Sequence, residues 1–380
     1  MHRPCRKNAI GVTLVELMVA MVLGLIIVGA VLNVFVSSRQ TFRVNENLGQ
    51  LQENARIGFE LLARDIREAG STPCGIFPSQ VANVIRVGGA VPWWASWWAE
   101  GAPLRGFEGS ESAANTDEIA LPASIVAIGT GTNQRITGTD SLWAIQAAET
   151  PTAATAHTPA DRQFTLNSIT GFDEADVVVT CDLRGAAIFQ IGAVSTGTKV
   201  IDYNTTLASN NCTNNLGAPI NAACTTTTSR TFSPAEGIQV AKLVSNYWYV
   251  GNNSRGSRSL FRVTMINKTV AGAKTWTADT QEVIPGVRDM QIQYLTADTS
   301  ASNALATDWV NGNNDTVFPF PPSGTTQVRR WDETNNANQV VAVKIQLTLQ
   351  TEESISTSNA PVTRTLHFVV GVRSRSHIFS

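Results

Sequence analysis

The chain has 380 residues, 43% of them hydrophobic and 15% charged, which is enough apolar material for one large or two medium domains and excludes a disordered polymer. Twenty-eight basic against 30 acidic residues give a net charge of −2, but Arg3, Arg6 and Lys7 all precede Gly11, with no acidic residue among them. A form starting at Val12 loses those three and holds 25 basic against 30 acidic residues, a balance that argues against nucleic acid as a partner, because phosphate binding needs clustered Lys and Arg.

The first element follows that basic stretch. "GVTLVELMVAMVLGLIIVGAVLNVFVSSR" runs from Gly11 to Arg39, and its apolar core, Leu17 to Val36, reaches 20 residues. As a helix it spans about 30 Å, the thickness of a bilayer's hydrocarbon. A secretory signal would have a shorter apolar stretch and a small-residue cleavage site after it. Neither occurs, so the segment is expected to stay in the membrane with the basic end on the cytoplasmic side. Glu16 stands at its entrance. A carboxylate at the edge of hydrocarbon costs about 2.5 to 3.5 kcal/mol and calls for a partner; the plainer alternative is a carboxylate resting among headgroups. Asn33 interrupts the run late, where it can reach the interface or bond across helices.

The helical pattern continues beyond Arg39. Leu48, Leu51, Ala55, Phe59, Leu62, Ile66 and Ala69 keep steps of three and four, the mark of an amphipathic helix. Glu60 with Arg64, and Arg64 with Glu68, stand at i,i+4 on the polar side. Gly70 and Pro73 supply the stop, so one helix is predicted from Thr13 to about residue 70.

After Gly70 the texture changes to short β-rich runs separated by Gly, Asn, Ser, Thr and Pro. Strands are predicted in "VANVIRV" from Val81, "DEIALPASIVAI" from Asp117, "ADVVVTCD" from Ala175, "AAIFQIGAV" from Ala186, "NYWYV" from Asn246, "SLFRVTMI" from Ser259, "VRDMQIQYLTA" from Val287, "VVAVKIQLTLQT" from Val340 and "TRTLHFVVGVRSR" from Thr363. The last two alternate apolar with polar, as half-buried antiparallel strands do. Thr- and Asn-rich stretches around 204–230 and 298–315 read as long surface loops.

Of five cysteines, Cys5 lies in the basic N-terminal stretch, leaving Cys74, Cys181, Cys212 and Cys224. An even number in an exported domain suggests two disulfides, with three pairings available and four buried free thiols as the alternative. Nearness in sequence favours Cys212 with Cys224, and Cys74 with Cys181 then follows by elimination.

"G-V-T-L-V-E", Gly11 to Glu16, resembles the type IV prepilin and pseudopilin signature, a short basic leader ending in Gly before a hydrophobic helix with Glu close behind. The resemblance implies cleavage between Gly11 and Val12 by a prepilin peptidase. It makes Val12, where the family most often has Phe, the N-methylated first residue, and gives Glu16 an assembly role through the new N-terminal amine of its own or a neighbouring subunit. No proline occurs between Val12 and Thr72, whereas major pilins often carry a kinking one, so the helix suits a minor subunit. Later blocks, "ENARIGFELLARDIREAG", "DEADVVVTCDLRGAAIFQ", "YWYVGNNSRGSRSLFR", "EVIPGVRDMQIQYLTAD", "VVAVKIQLTLQT" and "RTLHFVVGVRSRS", resemble in that order the PilW family of type IV pilus minor pilins. That family is similar in turn to the J-type pseudopilin of type II secretion. The tail "VRSRSHIFS" departs from the family's common Arg-Asn-Arg ending.

The implied fold is α+β and pilin-like, a long N-terminal helix packed on a large antiparallel β-rich head. Its expected divisions are a leader at 1–11, a transmembrane and assembly helix at 12–38, an amphipathic continuation at 39–70 and the head at 71–380.

Catalytic chemistry has little to stand on. His157 lies in the loop-like "TAATAHTPAD", His367 on a strand and His377 in the tail, and a satisfied strand or surface histidine outweighs a general base at each. No Gly-x-Ser-x-Gly, His-Glu-x-x-His, phosphate-binding Gly-rich loop or Cys-x-x-Cys is present. In "NGNNDTVFPF", Asn313 and Asp315 have a spacing that suits Ca²⁺, but the full carboxylate set is missing, so a polar turn is expected and no metal or cofactor is assigned. "VPWWASWWAEG" concentrates Trp93, Trp94, Trp97 and Trp98, which either cover the head from within or form a contact surface for a partner subunit.

The expectation is a non-enzymatic minor pilin that primes type IV pilus assembly in a tip complex. Its partners would be the prepilin peptidase, sibling minor pilins, the major pilin and a PilY-type tip protein, with the head in the periplasm before assembly and at the pilus tip after it. A J-type pseudopilin is the nearest alternative; a membrane-tethered adhesin or binding module, and then an anchored hydrolase, stand in other classes.

Overall fold

The computed structural model describes residues 13–75, 81–87, 92–95, 97, 103–109, 126–205, 210–218, 224, 229–298, 304–305, 308–313, 338–351 and 361–373. One 55-residue helix, α1, runs from Leu14 to Glu68, two residues short of the expected end. Thr13 caps it: its Oγ1 accepts the N–H of Glu16 at 3.3 Å, satisfying one of the donors a helix start leaves open. Gly70 ends it with φ +78°, a left-handed turn that glycine adopts without strain.

The chain divides into two units, one of residues 1–52 with 351–362 and the other of residues 53–350 with 363–380. In the first, α1 exposes its apolar side chains on every side from Leu14 to Val36; Leu14 is 75% and Leu25 72% exposed.

The second unit is the head. Among the described residues it holds the last turns of α1 and sixteen strands: β1 (Val81–Asn83), β2 (Leu104–Phe107), β3 (Ser141–Ala147), β4 (Thr152–Thr158), β5 (Gln163–Leu166), β6 (Val177–Asp182), β7 (Gly185–Gln190), β8 (Ala193–Ser195), β9 (Val200–Asp202), β10 (Gln239–Asn252), β11 (Arg258–Val270), β12 (Ala273–Pro285), β13 (Val287–Asp298), β14 (Ala304–Leu305), β15 (Asn338–Gln350) and β16 (Thr363–Gly371). Twelve form one sheet, in which β1, β7, β6, β10, β4, β5, β9 and β8 neighbour each other in that order, while β3 and β11 also pair with β10. The other four lie in the order β14, β13, β15, β16. Among the strands of the described residues, only β1 with β7 pairs in parallel.

β10 is the hub because it is long enough to serve twice. Its first residues pair with β4 and β6, Gln239 lying opposite both Ala153 and Cys181. Its second half pairs with β3 and β11, Tyr247 opposite both Trp143 and Val263. Side chains alternate across it as a strand requires. Tyr247 and Tyr249 enter a core with Trp93, Trp94, Trp97 and Trp143, while Asn246 and Trp248 turn toward α1. A second core gathers Phe164, Phe189, Tyr203 and Phe232, and β6 feeds both, Val177 and Val179 into the first and Val178 into the second.

The close approach of β2 to β13 depends on Gly106. A Cβ built there falls on the Tyr294 hydroxyl, and Tyr294 is 1% exposed with nowhere to retreat. Gly106→Ala is expected to cost at least about 1 to 3 kcal/mol, the usual range for overpacking; an unchanged thermal midpoint would show that this contact does not constrain the head.

The observed strands coincide with the apolar runs and also include several that those runs did not predict, namely β2, β3, β4, β5, β9, β12 and β14, the last within the stretch 298–315 expected to be a loop. "TAATAHTPAD" is no loop, since His157 lies on β4. β12 is mostly polar because its hairpin end with β11 is exposed; Trp276 and Ala278 pack on the core and Ile284 is buried, too few apolar positions to announce a strand. The run from Asp117 falls mostly outside the described residues. Arg64 makes neither expected helical pair: it reaches Glu149 at 2.8 Å, Glu68 meets Arg373 at 3.2 Å, and the i,i+4 pair is Arg56 with Glu60. Partners from the sheet outcompete those on the helix, at the small gain typical of exposed pairs.

Candidate assembly site

The start of α1 combines three features. Its first turn carries the carboxylate of Glu16, favourable against the positive end of the helix dipole. The apolar stretch behind it is 0% buried by the rest of the protein and long and apolar enough to cross a membrane. Thr13 and Glu16 also have the T-x-x-E spacing of a capping box, which assigns Thr13 a role that the prepilin signature alone does not. Gly11 and Val12 lie outside the described residues.

At its other end the helix is locked to the head. Gly58 lets α1 approach Ile284 and Leu260 closely, Phe59 stacks on Phe368 with centroids 4.0 Å apart, and Leu62, Ala63 and Ile66 are fully buried. Among these apolar contacts sits Asp65, 5% exposed. Its Oδ2 accepts the Trp248 indole N–H at 2.7 Å and the Asn246 amide at 2.9 Å, and its Oδ1 accepts Gln146 at 3.3 Å. Burial raises the Asp65 carboxyl above the ordinary carboxylate range, with the indole and amide bonds acting against that shift. Helical periodicity could not reveal this residue, because its acceptors' partners lie 81 to 183 positions away.

The remaining sequence-predicted residues separate. Cys74 is bonded to Cys181 and Cys212 to Cys224, each pair with Cα atoms 5.9 Å apart. The first cystine ties the segment after α1 to β6; the second closes a surface loop.

The tryptophan contact surface needs correction. Trp93, Trp94 and Trp97 are 8%, 7% and 1% exposed, with Trp93 edge-on to Trp143 at 6.0 Å and Trp94 against Trp276 at 5.9 Å. Burying these indoles against the sheet withdraws them from any partner; Trp98 lies outside the described residues. Asn313 is exposed, and Asp315 also lies outside them.

His157 is a core residue. It stacks on Phe164 at 4.1 Å, its Nδ1 accepts the Phe232 N–H at 3.0 Å, and its Nε2 lies 2.9 Å from the Tyr203 hydroxyl. Burial lowers its pKa to about 4, so it is neutral at physiological pH. His367 is an exposed strand residue, and His377 lies outside the described residues.

A long helix, bare and apolar at its start and carboxylate-bearing in its first turn, continuing into a disulfide-stapled β-rich head, defines the pilin class. Two family models match this chain: the prokaryotic N-terminal methylation motif over residues 6–32 and Type IV Pilus-assembly protein W over residues 247–371. The second match starts in β10 and ends in β16. These matches, each over part of the chain, support a PilW-type minor pilin of type IV pilus assembly, membrane-anchored and pilus-associated. No curated protein and no solved structure matches the chain.

Proposed function

We propose that this minor pilin works in a tip or priming complex and acts by association, without turnover. A prepilin peptidase cuts after Gly11, Val12 becomes the methylated N-terminus, and residues 12–38 hold the subunit in the inner membrane with its head in the periplasm. Sibling minor pilins then pack against the apolar helix, the major pilin follows below, and a PilY-type tip protein is the candidate partner above.

The observation that carries this reading is the placement of Glu16. It sits in the first turn of a helix whose apolar surface has no partner within the described residues. A carboxylate there is costly in lipid and favourable beside a neighbour's N-terminal amine, so assembly relieves what insertion imposes.

Glu16→Ala is therefore expected to insert and lose its leader normally while co-purifying with sibling pilins at least about tenfold less, a loss equivalent to roughly 1.4 kcal/mol. Undiminished co-purification would refute the assembly role of Glu16. Mass spectrometry of the membrane protein checks the processing step: an intact N-terminus, or cleavage beyond Val36, contradicts it. Gene deletion separates pilus from secretion, since lost export with normal twitching motility would assign the subunit to a type II system.

A further inference from the structure

A cleft of about 570 Å³ opens on the head, beside the Cys212–Cys224 cystine, with Arg162, Tyr203, Thr205, Asn214, Ser229 and Arg230 among its walls. Its volume falls in the range of small-ligand sites, about 300 to 1,000 Å³. Its hydrogen bonding is lopsided, and the imbalance begins at His157.

The Nδ1 of His157 accepts the Phe232 N–H. A neutral imidazole with an accepting Nδ1 carries its proton on Nε2, so Nε2–H donates to the Tyr203 oxygen at 2.9 Å. Tyr203 keeps its own O–H. No acceptor for that proton exists among the described residues, although Tyr203 is 1% exposed and lines the cleft. Buried donors are nearly always paired, and an orphan calls for an explanation.

Two guanidinium groups share the same walls. Arg162 is half-buried and makes no side-chain hydrogen bond or ion pair among the described residues. Arg230 is neutralised by Asp182 and lies over Phe232, with its centre 4.7 Å from the ring, yet its Nε remains buried without a partner. Asn214 spends its carbonyl oxygen on the Thr205 N–H at 2.9 Å, and its amide has no acceptor among the described residues. Asp182 is spent on Arg230, and Asp202 accepts the Asn204 N–H at 2.6 Å.

We infer that this cleft binds a saccharide bearing a carboxylate, of the uronate class. The carboxylate accepts from Arg162 and from the Tyr203 O–H, matching planar acceptor to fixed donors. Thr205, Asn214 and Ser229 offer the mixed donor and acceptor groups that ring hydroxyls need, and a bare carboxylate would leave most of the volume unfilled. The inference rests on the head alone and holds wherever the subunit sits in a fibre.

The test uses the mature full-length protein in detergent, titrated calorimetrically with digalacturonate and with neutral galactobiose. Digalacturonate should bind at least tenfold more tightly than galactobiose, Arg162→Gln should weaken it at least tenfold, and Tyr203→Phe about threefold or more. Acetate should compete only at far higher concentration. Thermal melts establish that each variant is folded, and Arg162→Gln, at a half-buried cleft wall, decides the matter if Tyr203→Phe does not fold. No heat of binding at 10 mM digalacturonate, equal binding of the neutral sugar, displacement by equimolar acetate, or full affinity in Arg162→Gln would each overturn the assignment.

Discussion

Replacing Cys74 and Cys181 together with serine is expected to leave the head largely unfolded at physiological temperature. The cystine closes a loop of 107 residues, and the chain-entropy argument assigns a cross-link of that span about 5 kcal/mol. Whole-domain stabilities run from about 5 to 15 kcal/mol, so this one bond represents a large share. The loss is also local, because Cys181 is fully buried in the core that holds Trp143 and Tyr247, and a serine hydroxyl placed there would lack a partner. The matching pair at Cys212 and Cys224 is separated by 12 residues and should cost only about 3 kcal/mol on the same argument. Denaturant midpoints of the two double variants provide the measurement. Equal midpoints, or a near-wild-type midpoint for the first, would show that loop length does not govern stability here.

Substituting Asp65 with leucine is expected to destabilise the head by at least about 3 kcal/mol, because three buried neutral donors lose their acceptor at about 1 to 3 kcal/mol each. The change strands the Trp248 indole and the Asn246 and Gln146 amides, each losing the acceptor it has in the native head. Asparagine keeps one accepting oxygen and should be milder. Its effect should also depend on pH. Because burial raises the folded pKa of Asp65 above its unfolded value, the native head binds more protons than the unfolded chain between those two values, so wild-type stability falls as pH rises through that window. An asparagine side chain does not ionise, and the penalty of Asp65→Asn should therefore shrink from pH 4 toward pH 8. A penalty that grows with pH would mean that the ionised carboxylate is the favoured native form.

The helix and the apolar strands were legible because each carries its period openly: Leu48 to Ala69 in steps of three and four, and β15 in alternation from Val343 to Gln350. Elements that draw order from distant partners were not. Asp65 is one residue before Ile66 and reads as a stray charge until Gln146, Asn246 and Trp248 are brought against it. β12 reads as loop because lysine, threonine and aspartate dominate it, and only its pairing with β11 makes it a strand. The cluster from Trp93 to Trp98 admitted both burial and contact, since composition does not say which way an indole turns. Thr13 stood in plain view, but the prepilin signature that includes it points attention to Glu16.

The Cys74–Cys181 bond also has a mechanical meaning. Any pull on the chain from the α1 side reaches the head first through the packed last turns, Phe59 to Ile66, and then through the segment that follows residue 68. Six residues later it reaches a covalent junction with β6. Tension is thus delivered directly to a strand that pairs with the hub β10, and the 107-residue excursion between the two cysteines is bypassed.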